Sequence, residues 1–229
     1  MTSVKDIRTR GLFDFAPFAE TYDRWYATPG GRTHDLAQKA DVFGFLARGG
    51  TDARLLDVGC GTGHWTRYFA MLGYAVVAVD VSSEMVHVAY GSRPSGTAFH
   101  VADAAALPFE DAAFDVAAAM ATLEFLPAPA EALEEMARCV RHGGRLLIGS
   151  LNRSASLNRK RLAQRREPYA SGHLYSPDEL ERLLEPFGRI RMVASDPDGA
   201  FLPEEPGELD RGSIGAGLDG PFIVAEVQR

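Results

Sequence analysis

Short apolar runs alternate with segments of helical periodicity along most of the chain. The runs at 55–58, 75–79 and 98–101 have strand character, and apolar residues at helical spacing separate each run from the next. The run at 114–120 is mostly small and apolar, as is typical of a strand that is covered on both faces. This alternation predicts an α/β fold.

The remainder of the chain continues the pattern. A helix is predicted over 127–141, and Ser176 is placed to cap a further helix that has proline at its first position. Strands are predicted over 145–151, 190–194 and 222–227. The connection 196–220 is rich in Gly, Pro and acidic residues, and connections of this length are often functional or mobile.

Residues 13–26 place large aromatic side chains at spacings near one helical face, and the segment 28–31 is expected to break the chain. These aromatic residues are Phe15, Phe18, Tyr22, Trp25 and Tyr26. Two interpretations stay open: an amphipathic helix that covers the sheet edge, or a lid over a ligand site. A second helix is predicted over 33–47, and Gly49 and Gly50 are expected to end it.

Glycine alternates with other residues directly after the first strand, at Gly59, Gly61 and Gly63. Glycines between a strand and a helix adopt backbone geometries closed to other residues, and they let a ligand approach the main chain closely. The second apolar run ends in Asp80, where a carboxylate can accept hydrogen bonds from both hydroxyls of a ribose. The pattern therefore predicts a site for a small molecule of the adenosine type.

The length of 229 residues and the 46% hydrophobic content suit one α/β domain with additional segments. The formal charge of -7 disfavours nucleic acid and anionic membranes as partners. The two cysteines and six scattered histidines give neither a disulfide framework nor metal-ligand spacing, so no metal is expected. We expect an unprocessed cytoplasmic protein, because the sequence has neither a signal peptide nor an apolar run long enough to span a membrane.

The sequence GCGTG at 59–63, Asp80 and Asp103 together resemble the nucleoside-binding set of class I S-adenosylmethionine-dependent methyltransferases. The resemblance implies a Rossmann-like α/β fold, in which a seven-stranded, mostly parallel sheet has an antiparallel last strand and helices on both faces. It also implies methyl transfer from S-adenosylmethionine to a small organic acceptor by in-line displacement, with S-adenosylhomocysteine as product. Whether oxygen, nitrogen or carbon is methylated stays open.

Further motifs resemble the small-molecule subgroup, the type 11 domain, that includes the ubiquinone and menaquinone methylating enzymes. They are LPF at 107–109, FDV at 114–116 and RCVRHGGRLLI at 138–148, where His142 replaces the proline usual in that subgroup. The match is good over about 22–151. By this resemblance the domain divides into three parts: a helical cap or lid (1–50), the cofactor-binding core (51–151) and the substrate-side helices with the last two strands (152–229).

The resemblance assigns twelve residues to the cofactor: Tyr22, Asp57, Gly59, Cys60, Gly61, Gly63, Asp80, Val81, Met85, Asp103, Ala104 and Ala121. Tyr22 is expected at the methionine end. Met85 is either a core residue or a contact of the adenine face. Asp103 is either a helix cap or, with the backbone of Ala104, a hydrogen-bonding partner of adenine.

A general base assists transfer to a phenol, an alcohol or an acidic carbon, and the candidates are Glu124, His173 and Tyr175. Glu124 follows the fourth strand, where it serves either as base or as a hydrogen-bonding partner of arginine or backbone groups. His173 is either a base or a surface-loop histidine. The basic segment 153–166 is either a solvated helix face or an anion-attracting gate beside the substrate cleft.

Two other classes of function compete with methyl transfer. A nicotinamide-dependent oxidoreductase would share the glycine turn and Asp80, but the third glycine of its fingerprint falls on His64. A non-catalytic module would bind S-adenosylmethionine or a partner protein without turnover, since fold alone does not fix function.

Overall fold

The computed structural model describes residues 11–46, 50, 52–195 and 217–229. Its strands form one sheet in the order β3-β2-β1-β4-β5-β7-β6. They are β1 (Arg54–Val58), β2 (Ala75–Asp80), β3 (Thr97–Val101), β4 (Phe114–Met120), β5 (Val140–Leu151), β6 (Arg189–Ser195) and β7 (Phe222–Gln228). The pairings among β1 to β5 are parallel, whereas β7 runs antiparallel to both of its neighbours. The predicted seven-stranded, mostly parallel sheet is therefore confirmed.

Helices cover both faces of this sheet. They are α1 (Pro29–Leu46), α2 (His64–Met71), α3 (Ser83–Gly91), α4 (Pro129–Cys139), α5 (Ser156–Ala163) and α6 (Pro177–Leu184), and 3-10 segments lie at Ala16–Arg24, Leu123–Phe125 and Glu185–Phe187. On one face, α1 and α2 contribute Val42 and Phe69 to the core. On the other, α4 and α6 contribute Leu133 and Leu180. The apolar side chains of these helices account for the two-layer cover of the sheet.

The central strand β4 explains why its sequence is mostly small and apolar. Val116, Ala117, Ala118 and Ala119 are fully buried, because β1 and β5 flank the strand and helices cover both faces. A strand in this position has no solvent-exposed face that would favour polar residues. The carboxyl ends of β1, β2 and β4 consequently meet at one edge of the sheet.

The N-terminal region differs from the prediction in two respects. Residues Ala16–Arg24 form a 3-10 helix rather than the expected amphipathic α-helix. The segment 28–31 does not break the chain, because Pro29 begins α1 and the hydroxyl of Thr28 accepts a hydrogen bond from the Gly31 amide at 3.0 Å. Proline is favoured in the first turn of a helix, where its missing N–H has no partner to lose.

The boundary between α4 and β5 also differs. The helix ends at Cys139 rather than Arg141, and the strand begins at Val140, five residues before its predicted start at Arg145. The added residues include Gly143, whose positive φ of 73° makes this part of the strand irregular. The predictions for Gly49 and for 196–216 concern residues outside those described. Within the described ranges, no helix combines the length and apolarity needed to cross a bilayer.

Candidate functional site

A cavity lies where the carboxyl ends of β1, β2 and β4 meet. Ten of the twelve residues assigned to a cofactor line it: Tyr22, Gly59, Cys60, Gly61, Asp80, Val81, Met85, Asp103, Ala104 and Ala121. Two do not, namely Asp57 and Gly63. Open α/β sheets bind ligands at this edge, where the strand order reverses around β1 and β4.

The glycine turn forms the floor of the cavity, and two of its glycines serve different purposes. Gly59 has φ 73°, and a Cβ at this position would overlap the side chain of Thr122. Gly61 has φ 52°, but a Cβ there would meet nothing within 4 Å. Gly59 therefore permits close packing within the protein, whereas Gly61 leaves space in which a ligand can lie against the backbone.

Asp80 links the end of β2 to the glycine turn. Its two carboxylate oxygens accept hydrogen bonds from the amides of Gly61 at 2.8 Å and Ser82 at 2.9 Å. Burial raises the pKa of the Asp80 carboxyl, although these N–H groups oppose that effect. A carboxylate accepts roughly four hydrogen bonds, so Asp80 retains capacity for two ribose hydroxyls.

Asp57 and Gly63 support the turn from outside the cavity. The Asp57 carboxylate is 1% exposed and accepts a hydrogen bond from the hydroxyl of Thr66 at 2.6 Å. Burial raises the pKa of Asp57 to about 7, despite that hydrogen bond. Gly63 is the N-cap of α2, and a Cβ there would lie 3.2 Å from the Cβ of Ala89. Both residues thus hold the shape of the turn.

Met85 and Asp103 both line the cavity, and each also has a structural contact. Met85 is 2% exposed, so it belongs to the buried interior, as one of its two interpretations predicted. Asp103 accepts a hydrogen bond from the amide of Ala105 at 3.0 Å within a turn, and because no helix follows it over 104–113, the helix-cap interpretation is wrong. These residues lie beside Ala104, where an adenine ring would find a flat apolar contact and polar partners.

Aromatic side chains from the N-terminal region cover the cavity. Its lining includes Phe13, Phe15, Tyr22 and Tyr26. The ring of Phe15 lies 4.9 Å from that of Phe125 in an edge-to-face contact, and Phe125 itself follows β4. These aromatic residues are therefore part of the packed structure and also the roof of the cavity.

Polar contacts attach this roof to the glycine turn. The Asp23 carboxylate accepts hydrogen bonds from the hydroxyl of Thr62 at 2.5 Å and from the guanidinium of Arg67 at 3.1 Å. Thr62 lies within the glycine turn and Arg67 lies on α2. Thr62 of the glycine turn and Arg67 of α2 thus fix the position of the segment that covers the cavity.

His64 also lines the cavity, although no role in binding a cofactor was predicted for it from the sequence. Its ring stacks on Tyr26 with a centroid distance of 3.6 Å, and its Nε2 lies 2.6 Å from a carboxylate oxygen of Asp35. Burial would raise the pKa of Asp35, but hydrogen bonds to His64 and Lys39 outweigh it and hold that pKa below its ordinary value. The sequence feature that could have indicated this role is the position of His64 directly after the glycine turn.

Glu124 lies behind the cavity wall and does not line it. Its Oε1 accepts hydrogen bonds from the hydroxyl of Ser150 at 3.0 Å and from the backbone amide of Leu151. Among the described residues, its Oε2 is buried without a hydrogen-bonding partner. Burial raises the pKa of Glu124 to about 7. The carboxyl group therefore anchors the segment after β4 to β5.

His173 and Tyr175 lie on the loop before α6. The His173 ring is exposed and does not line the cavity, and its backbone amide donates to the carbonyl of Glu124 at 2.7 Å. The Tyr175 ring lies 4.8 Å from that of His173, and burial raises the pKa of Tyr175 to about 12. The structure thus brings Glu124 and His173 together through the backbone, but it does not place either side chain in the cavity. In the described parts, no group of three or more His, Cys, Asp or Glu residues is arranged to hold a metal ion.

Comparison with known proteins shows which proteins this fold and site resemble. Residues 56–148 match the family model described as a methyltransferase domain. A SAM-dependent methyltransferase of Thermotoga maritima has a similar crystal structure, with a TM-score of 0.69 and 26% identity over 93% of this chain and 97% of that one.

Two relatives illustrate how far the similarity extends along the sequence. An uncharacterized protein of Methanocaldococcus jannaschii is 28% identical over 94% of this chain and 98% of its own length. The ubiquinone biosynthesis O-methyltransferase of Paraburkholderia phymatum is 37% identical over 45% of this chain, and the match spans only 47% of that enzyme. The similarity to the named enzyme therefore extends over less than half of either protein.

Proposed function

We propose that the chain is a class I, S-adenosylmethionine-dependent methyltransferase of the small-molecule type and that it transfers a methyl group to a small organic acceptor. Its match to a methyltransferase domain and its likeness to a SAM-dependent methyltransferase structure support this proposal. The observation that supports this proposal is the shared cavity of Gly61, Asp80, Met85 and Asp103. Each comes from the end of a different strand or from the helix that follows it, and together they match the parts of an adenosyl ligand. When bound, S-adenosylmethionine supplies an already activated methyl group.

Three parts of the cavity would hold this cofactor. The open backbone at Gly61 accommodates the methionine portion, and Asp80 accepts hydrogen bonds from the ribose hydroxyls. Asp103 and Met85 contact the adenine, the former through its carboxylate and the latter through its apolar side chain. The cofactor fits this cavity for two reasons: the space beside Gly61 is open, and the Asp80 carboxylate can accept further hydrogen bonds.

The protein's own contribution to methyl transfer is to orient the acceptor and exclude water. Phe15, Tyr22 and Phe125 enclose the cavity on the side away from the sheet. Neither Glu124 nor His173 lines the cavity, so we assign neither residue the role of general base. We assign Glu124 a positioning role, since it ties the segment after β4 to Ser150 and Leu151.

The aromatic roof favours a planar acceptor, because edge-to-face and stacked contacts with aromatic rings add to apolar burial. The ubiquinone biosynthesis relative is an O-methyltransferase by name. A phenol is therefore the first acceptor class to test, followed by aromatic amines and acidic carbon compounds.

The proposal is tested by incubating the protein with S-adenosylmethionine and each acceptor class, and by following S-adenosylhomocysteine and the methylated acceptor by mass spectrometry. We expect product only when S-adenosylmethionine and an acceptor are both present. Binding of S-adenosylmethionine without product from any acceptor would instead favour a non-catalytic module, and binding of a nicotinamide dinucleotide in its place would contradict the proposal.

A further inference from the structure

Arg161 on α5 differs from the other basic residues of the segment 153–166. It is half-buried, whereas Arg159 and Lys160 on the same helix are exposed. Its guanidinium lies 4.4 Å from the ring centroid of Tyr169. It also donates a hydrogen bond to Asn158 at 2.9 Å. Arg161 is therefore held in one place rather than extended into solvent.

Asn158 is itself fixed, which makes the position of Arg161 well determined. The Asn158 side chain is fully buried, and its amide nitrogen donates to the carbonyls of Asn152 at 2.9 Å and Pro221 at 2.7 Å. With both amide hydrogens engaged, its oxygen is directed to Arg161. The guanidinium thus rests on a buried hydrogen-bonded support that extends from the end of β5.

The loop that carries Tyr169 packs against the wall of the cavity. Gly172 approaches so closely that a Cβ there would lie 2.8 Å from the ring of Phe125, which lines the cavity. The ring of Phe125 contacts Phe15 at a centroid distance of 4.9 Å, and Phe15 contacts Tyr22 at 6.1 Å. Arg161 and the loop of Tyr169 are thus connected to the aromatic wall of the cavity.

Basic residues are concentrated in the segment that contains α5. Segment 153–166 contains six basic residues and no acidic residue, in a chain whose formal charge is -7. Arg153 pairs with Glu179 at 2.7 Å. Within the described ranges, in contrast, Arg161 has no carboxylate within ion-pair distance, and the hydroxyls of Tyr22 and Tyr169 make no hydrogen bond. Three donors with unused capacity therefore lie beside the cavity.

We infer that the methyl acceptor carries an anionic group, a carboxylate or a phosphate, which binds between Arg161 and the hydroxyls of Tyr169 and Tyr22. The planar guanidinium forms paired hydrogen bonds with either group, and such charge-assisted bonds are stronger than neutral ones. This inference rests on the proposed methyl transfer and narrows its substrate class: the anion lies on the α5 side while the nucleophile faces the glycine turn.

The test measures binding of small probes to the protein saturated with S-adenosylhomocysteine, by calorimetry. The probes are 4-hydroxybenzoate, phenyl phosphate and neutral phenol, so that carboxylate, phosphate and uncharged ligands are compared on one ring. The variants are Arg161→Gln and Tyr169→Phe, and Arg159→Gln is the matched control because it removes an exposed arginine from the same helix.

We expect at least one anionic probe to bind more tightly than phenol, and the stronger of the two to identify the anion. Arg161→Gln should weaken that binding by about tenfold or more, as expected for a lost charge-assisted hydrogen bond. Tyr169→Phe should weaken it less, while Arg159→Gln should leave it unchanged. Binding of S-adenosylhomocysteine should be the same in all variants.

Two results would overturn the inference while the proposed function stands: equal binding of phenol and both anions, or equal effects of Arg161→Gln and Arg159→Gln. Either would make the basic segment a solvated helix face. Failure of the parent protein to bind S-adenosylhomocysteine would instead remove the proposed function, and the inference with it.

Discussion

At the residue scale, Glu124 shows how burial changes the chemistry of a side chain whose position the sequence indicated correctly. It follows β4 as predicted, yet it is fully buried and one of its carboxylate oxygens lacks a partner in the described structure. An unpaired ionised oxygen in this position is costly, whereas a protonated carboxyl is tolerated. Sequence spacing cannot reveal this difference, since it depends on what β5 places around the side chain.

The raised pKa of Glu124 predicts a dependence of stability on pH. Burial raises the pKa of Glu124 from its ordinary value of 4.5 to about 7, so the folded protein keeps this proton up to about pH 7 whereas the unfolded chain releases it near pH 4.5. The stabilisation is therefore complete below the lower value and is lost as the pH rises through the higher one. Glu124→Gln resembles the protonated group, so it should match the parent at about pH 5 and be more stable at about pH 8, by up to about 3 kcal/mol.

Thermal or urea unfolding at the two pH values measures this effect. Glu134→Gln, which changes an exposed carboxylate on α4, should behave like the parent at both. An equal difference between parent and Glu124→Gln at the two pH values would show that Glu124 is ionised throughout in the folded protein.

At the scale of elements, two glycines of the turn between β1 and α2 serve different needs: Gly59 is needed for packing within the protein, and Gly61 for ligand binding. A residue with a Cβ is strained at positive φ by about 1–2 kcal/mol. Gly59→Ala adds to this an overlap with Thr122, whereas Gly61→Ala places its Cβ in open space within the cavity. Gly59→Ala should therefore lose more stability, and Gly61→Ala should keep most of its stability but bind S-adenosylhomocysteine more weakly.

Urea unfolding and calorimetry on the two variants distinguish these effects. Equal losses of stability in the two variants would contradict the different roles of Gly59 and Gly61. So would binding of S-adenosylhomocysteine to Gly61→Ala with the affinity of the parent.

Elements with strong local signals were predictable, and those that depend on tertiary packing were not. Ser176, Pro177 and Glu179 form the predicted N-terminus of α6, because a capping box is encoded within four successive residues. The segment 28–31 was misread as a break, because proline and glycine are usual both in turns and in the first turn of a helix. Here Gly31 is required by its contact with the Trp25 carbonyl, which no local pattern reveals.

At the scale of the whole molecule, the parallel sheet is what brings distant residues into one site. Asp80 ends β2 and Asp103 follows β3, and the alternation of strands and helices is sufficient to predict that they meet at one edge of the sheet. The packing of the aromatic residues that cover the cavity was harder to predict from the sequence. The residues themselves were recognised, but the contacts of Tyr26 with His64 and of Phe15 with Phe125 arise only when separate segments pack together.

The most direct test of the central claim is calorimetric binding of S-adenosylmethionine and S-adenosylhomocysteine to the parent and to Asp80→Ala. Asp111→Ala serves as control, since its carboxylate is 79% exposed and pairs with Arg138 outside the cavity. We predict that the parent and the control bind both ligands alike and that Asp80→Ala loses about 1–3 kcal/mol of binding free energy. Absence of binding to the parent, or an unchanged affinity in Asp80→Ala, would contradict the assignment of this cavity to the cofactor.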